Sequence, residues 1–218
     1  MYNIPIRYIF TNNQLNKEHY YDRFGNLLLE AGSNFNNEIV VALDEFGTFL
    51  KEKYPTYKII SSTTKCLNKK SLIKNELNKT LYDYVCLDYN LNYDLKFLSK
   101  LSEQEKSKIE ILVNPICGKN CSFRKNHYEL NSISNLNYGK PYELKKCLIT
   151  GNGVDPRNIN KNNNITYKDI IENYYPLNII NYKIEGRTWK PLELAITYCN
   201  YMIKPEYYGY VLSKLFEE

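Results

Sequence analysis

Late in the chain two opposite charges stand two residues apart, in Tyr182-Lys183-Ile184-Glu185-Gly186-Arg187. In an extended strand that spacing turns Lys183 and Glu185 to one face. Ile179 and Ile180 lead into the run, Gly186 ends it, and Arg187 adds a second cation. Three charges at the end of an apolar strand are costly unless they pair or serve a ligand. They can form an ion pair at the strand end, or they can hold an anionic substrate. Arg suits planar carboxylates because its fork donates two parallel hydrogen bonds.

Cys117 and Cys121 lie four apart in a Gly-containing loop that begins at Asn114 and runs on to Arg124 and His127. Their sulfurs can point at one centre, and thiolates suit iron–sulfur clusters or zinc. Cys147 is the third candidate ligand. The fourth could be His127 or Cys66, or the position could stay open to substrate. Cys86, within Tyr84-Val85-Cys86-Leu87, and Cys199, beside Tyr198 and Met202, read instead as small buried hydrophobes. Beside Arg124 and two cysteines, His127 is a candidate acid–base group or anion contact. There is no Ser/His/Asp order and no His-Glu-x-x-His motif, so a conventional hydrolase gains no local support.

These residues fall at the ends of strands. The β-branched and aromatic runs predict strands at Ile6–Thr11, Glu38–Leu43, Lys58–Ser62, Tyr84–Asp88, Ile109–Asn114 and Asn181–Glu185, with a weaker one at Lys146–Thr150. Helical patterns fill Lys17–Ala31, Glu45–Lys53, Lys70–Lys79, Asp94–Ser102, Tyr167–Tyr175 and Pro191–Phe216, the last with a break at Pro205. Strands separated by helices imply parallel pairing with right-handed crossovers. About seven such units suggest an incomplete (β/α) TIM-barrel-like domain over residues 1–218. A doubly wound open sheet is the alternative. It lacks a Gly-rich loop after the first strand, and Gly151-Asn152-Gly153 is a lone turn. In a barrel Asn12, Ser61, Ser62, Asp88, Asn90 and Asn114 would all face one mouth, which makes them candidate substrate-binding residues. Singly, each is a common turn former or helix cap.

Whole-chain properties set limits. Hydrophobic content of 43% supports a real core, and no apolar run approaches the roughly 20 residues of a membrane span. The opening Met1-Tyr2-Asn3-Ile4-Pro5 has no basic start followed by an apolar stretch, so no export signal is expected. Six cysteines without such a signal suit a reducing cytoplasm. The 29 basic residues stand beside 24 acidic ones, a weak case for nucleic-acid binding.

The run Lys183-Ile184-Glu185-Gly186-Arg187, preceded by Leu177-Asn178-Ile179-Ile180, resembles the signature of the collagenase-like peptidase family, family thirty-two of the unclassified peptidases. In that family a similar Lys-Ile-Glu-Gly-Arg segment ends the last barrel strand. Ile6–Asn12, Ser61-Ser62-Thr63, Leu87–Leu91 and Ile109–Cys117 agree with it in order, although only the late motif is specific. The better understood relatives look like oxygen-independent hydroxylation proteins, with a 4Fe-4S cluster on four cysteines and prephenate as oxygen donor. The resemblance implies a cluster near Cys117, Cys121 and Cys147, with Arg124, His127, Lys183, Glu185 and Arg187 around an anionic substrate. Tyr89-Asn90 replaces the family's Arg-Glu, and Asn114-Pro115 its strand-end His-Gly. The family's first βα unit has no counterpart here, which implies a barrel opening between the strands at Ile6 and Asn181, covered by a partner, by self-association or by a loop. Two readings follow: a cluster-dependent, hydroxylase-like redox enzyme, and a non-catalytic barrel subunit with a structural zinc or no metal. A literal peptidase is third, for want of a nucleophile–base pair.

Overall fold

The computed structural model describes residues 4–34, 36–142, 164–186, 190–215 and 217. Among these residues six short strands form one parallel sheet: β1 (Arg7–Phe10), β2 (Glu38–Val41), β3 (Lys58–Ser61), β4 (Tyr84–Cys86), β5 (Ile109–Leu112) and β6 (Asn181–Lys183). Their spatial order is their chain order, and every neighbouring pair is parallel. Sequential parallel order rules out the doubly wound alternative, whose strand order reverses at a switch point. The seventh expected strand, Lys146–Thr150, lies outside the described residues.

One face of the sheet packs on helices. Ile39, Val41, Ile59, Val85 and Ile111 share a core with Phe46 and Leu50 of α2 (Asp44–Lys53), and with Ile73 and Leu77 of α3 (Lys70–Leu77). The other face is concave. The Arg7 guanidinium on β1 bonds Glu38 on neighbouring β2, and it also bonds Glu110 on β5 at 2.5 Å. In a flat sheet β1 and β5 would stand about 19 Å apart, four inter-strand spacings. Direct contact therefore requires the sheet to curl into a half-barrel. Its interior holds Arg7, Glu110 and Cys86, and burial pushes the Cys86 thiol up to about 12. Ile9, on the same face of β1, remains 37% exposed, and among the described residues no strand pairs with the other side of β1.

Several helices differ from the sequence expectation at their ends. The Lys17–Ala31 stretch splits at Asp22, whose carboxylate caps α1 (Arg23–Ala31) by accepting from the Gly25 amide. Asp94–Ser102 is shorter than its pattern and becomes α4 (Leu95–Leu98). Ser102 then starts a new helix, α5 (Glu103–Lys108), through a reciprocal capping box with Glu105. Tyr167–Tyr175 is helical but irregular: α7 (Tyr167–Asp169) widens into a π-turn over Ile170–Tyr174. The C-terminal pattern divides at Pro205 into α8 (Pro191–Met202) and α9 (Tyr208–Leu215). An unexpected helix, α6 (Arg124–Leu136), follows the cysteine loop. No helix among the described residues is long and apolar enough to cross a membrane.

Outside the sheet, α2 and α3 are joined by a charge network. The Lys65 ammonium lies against Asp44 and Glu76, Lys79 bonds both carboxylates at 2.5 Å, and the Tyr82 hydroxyl donates to Asp44 at 2.6 Å. Burial alone would raise both carboxyl groups, but hydrogen bonds from Lys65 and Lys79 outweigh it and hold Asp44 and Glu76 below the usual range. A depressed folded-state pKa contributes stability that is present at neutral pH and is lost as pH falls through that pKa. Thermal unfolding is therefore expected to drop steeply below about pH 4. Glu76→Gln should flatten that acid limb; an unchanged acid limb in the variant would show that the network does not govern it.

Candidate functional site

The C-terminal ends of the strands carry the candidate residues, and α6 roofs them. At one end of α6, Arg124 is ion-paired to Asp88 after β4, both buried. Further along, the Asn12 side-chain amide after β1 donates to the Ser132 carbonyl at 2.9 Å, and the Asn13 amide donates to the Ser132 hydroxyl at 3.2 Å. A crossover helix would run down the outer face. This one instead lies across the mouth, from the end of β1 to the end of β4.

Beneath α6 lies a cavity of about 300 Å³. Thr11, Ser62, Thr63 and Thr64 line it from the ends of β1 and β3, Tyr128, Asn131 and Ser132 from the roof, and Lys183 and Glu185 from the end of β6. The spacing that turns Lys183 and Glu185 to one face thus brings both into one cavity. Glu185 is engaged: its Oε2 accepts from the Ile116 amide at 3.0 Å. The Asn114 amide clamps the Glu185 backbone, donating to its carbonyl at 2.9 Å and accepting from its N–H at 2.7 Å. Asn114 therefore ties the end of β5 to the end of β6. The Lys183 ammonium has no carboxylate or hydrogen-bond partner among the described residues. By contrast Arg7, Lys65, Lys106 and Arg124 each sit on a carboxylate.

The remaining candidates divide. Ser62 faces the cavity, and its hydroxyl accepts from the Thr64 amide at 3.1 Å. Ser61, one residue earlier, points to the helix layer and donates to Glu76 at 2.5 Å, so it does not reach the mouth. Asp88 is occupied by Arg124 and by the Asn90 amide. Asn90 accepts from the Asn120 amide at 2.8 Å and so pins the cysteine loop. His127 packs against Tyr128 and Tyr142, and burial lowers its pKa. It lines neither the mouth cavity nor the one beside the cysteine loop. Arg187 and Cys147 lie outside the described residues.

The Cys117 and Cys121 thiols face one another at the rim. Burial pushes Cys117 up to about 11, where it packs with Cys86, Tyr89 and Leu112. Cys66 lies nearby, against the Arg124 guanidinium, and lines one cavity with Cys121. The guanidinium favours the thiolate forms of Cys66 and Cys117, but burial outweighs it and keeps both thiols above the usual range. No three His, Cys, Asp or Glu side chains among the described residues converge as a ligand set. The described part of the site supplies two close thiols rather than the ligand shell of a cluster or a structural zinc.

Sequence reasoning missed three features of this site. The roof helix is polar, with Asn126, Asn131, Ser132 and Asn135 along it, and its N-cap Phe123 gives no capping signal. Tyr128 is the one aromatic of that helix, and its place beside His127 was the available hint. Arg7 and Glu110 stand inside otherwise apolar strands, and a charge there signals a partner across the concave face. No family model, no curated protein and no solved structure matches this chain.

Proposed function

We propose that this half-barrel binds a small anionic molecule, of carboxylate type, in the cavity under α6. The observation that carries the reading is the Lys183 ammonium, without a carboxylate partner among the described residues, in a cavity whose other polar lining is hydroxyls, the Asn131 amide and one carboxylate, Glu185, which accepts from the Ile116 amide. A charge-assisted bond from such a group is stronger than a neutral one and is worth about 1.5–3 kcal/mol. Ser62 and Tyr128 supply neutral donors to orient the ligand, since the Thr63 and Thr64 hydroxyls already donate to the Leu87 carbonyl and to Ser62. The resemblance of Lys183–Gly186 to the collagenase-like peptidase signature supports the same residues. The test is a titration with prephenate, the donor that the resemblance implies, and with simple dicarboxylates. Lys183→Ala should weaken binding roughly ten- to hundredfold while leaving the unfolding temperature near that of the parent. Equal affinity in the variant would sink the proposal.

A second reading is favoured by the facing thiols of Cys117 and Cys121. It keeps the cluster-dependent, hydroxylase-like enzyme, with Cys147 as a further ligand. Protein purified without oxygen would then hold iron and acid-labile sulfide in near-equal amounts, both lost in Cys117→Ala/Cys121→Ala. Zinc alone would support the subunit with a structural metal. A metal-free protein that still binds anions through Lys183 would leave the binding barrel as the working description.

A further inference from the structure

A second cavity, of about 340 Å³, opens on the other side of the roof helix, at the N-terminus of α6. The 13-residue helix begins at Arg124 with Phe123 as N-cap, and no side chain caps it. The first-turn amides of Lys125 and Asn126 have no acceptor among the described residues. Uncapped amides at a helix N-terminus carry about half a positive charge and favour an anion.

A second, independent observation points the same way. Arg124 lines this cavity, is 3% exposed, and stacks its guanidinium on the Tyr89 ring at 4.2 Å. One nitrogen, Nη2, bonds Asp88, while Nη1 is buried without a hydrogen-bond partner; the Cys66 thiol, protonated through burial, is the other group against the guanidinium. An unsatisfied buried donor of this kind is uncommon and calls for an acceptor. Lys125 adds a second cation, Asn68, Asn90 and Asn120 form an amide rim, and no carboxylate lines the cavity.

We infer that this cavity is a binding site for a tetrahedral oxyanion, a phosphate or phosphomonoester group, held by the first turn of α6 with Arg124 and Lys125. Donors arrive from the helix end, from a guanidinium and from a flexible ammonium, which suits an acceptor with oxygens in several directions better than a planar carboxylate. The inference does not rest on the Lys183 cavity, which is lined by a different stretch of α6.

The test titrates the full chain with inorganic phosphate and, separately, with glycerol phosphate, reading amide shifts by NMR and the unfolding temperature. Saturable shifts centred on Lys125 and Asn126, with a rise in unfolding temperature, are expected. Tighter binding of the ester would identify a phosphorylated metabolite; equal binding would identify phosphate itself. Two surface variants guard against misfolding. Phe123→Asp places a carboxylate at the N-cap, where it should preserve or raise stability and weaken phosphate about tenfold or more. Lys125→Glu should weaken it similarly. Absence of saturable shifts at these amides in the parent chain, or equal affinity in both variants, would overturn the inference. Dicarboxylate binding that persists in Phe123→Asp would show that the two cavities are separate.

Discussion

Asp88→Ala is expected to cost about 3–5 kcal/mol of folding stability, a fall in unfolding temperature of roughly 6–20 °C for a chain of this length. Arg124 and Asp88 are 4% and 1% exposed at their side chains, so neither charge has water to fall back on. Removing the carboxylate leaves a guanidinium buried among Tyr89, Cys66 and Cys117, with two unsatisfied nitrogens instead of one. The damage should be local as well as global. The ion pair fastens the N-terminal end of α6 to the end of β4, so limited proteolysis should cut near Phe123 in the variant sooner than in the parent. The double variant Asp88→Asn/Arg124→Met should recover much of the loss, because it removes both buried charges and keeps an acceptor for the Asn90 amide. An unfolding temperature unchanged in Asp88→Ala would mean that the pair does not hold the roof.

The second large effect is expected at Arg7. Arg7→Leu strands Glu110, which is 2% exposed and already has one carboxylate oxygen, Oε2, without a partner. The arginine itself is about 30% exposed at its side chain, so a loss near the lower end of the range for a broken buried pair is expected, about 3 kcal/mol. Arg7→Leu/Glu110→Leu should recover more than half of it, and the shortfall measures what Glu38 loses with its own partner. Losses that simply add in the double variant would show that the two residues are not coupled across the concave face. The reading of the sheet as curled would then lose its main support.

How far the sequence disclosed this arrangement depended on the kind of signal. Parallel strands buried on both faces leave near-continuous apolar runs, so β2, β3 and β5 were plain, as was their order. Lys183 and Glu185 were legible because a strand alternates strictly, and two residues of spacing decide which face they share. The same alternation explains Ser61 and Ser62: both sit at the end of β3, and only the second faces the mouth, since a one-residue step reverses the side. Which of two adjacent serines turns inward depends on sheet register, and register is set by β2 and β4. The roof helix was not legible at all. A helix lying half-exposed across polar loop ends is polar overall, and with Phe123 at its start no cap residue announces its short Leu130-Ile133 spacing. The capping box at Ser102 and Glu105 was present in the sequence, and reading it would have separated α4 from α5.

The strictly sequential strand order has a consequence for the route by which the chain folds. Each strand pairs with the one just made, so every βα unit closes a short loop and can add to what is already assembled. The contact between Arg7 and Glu110 is different, since it joins residues 103 apart and can form only after five strands are in place. It is thus a late event, beyond the main barrier. Breaking it should leave the refolding rate nearly unchanged and appear almost wholly as faster unfolding. The half-barrel would be built from local steps and then latched, and the latch would set how long it stays closed rather than how quickly it arrives.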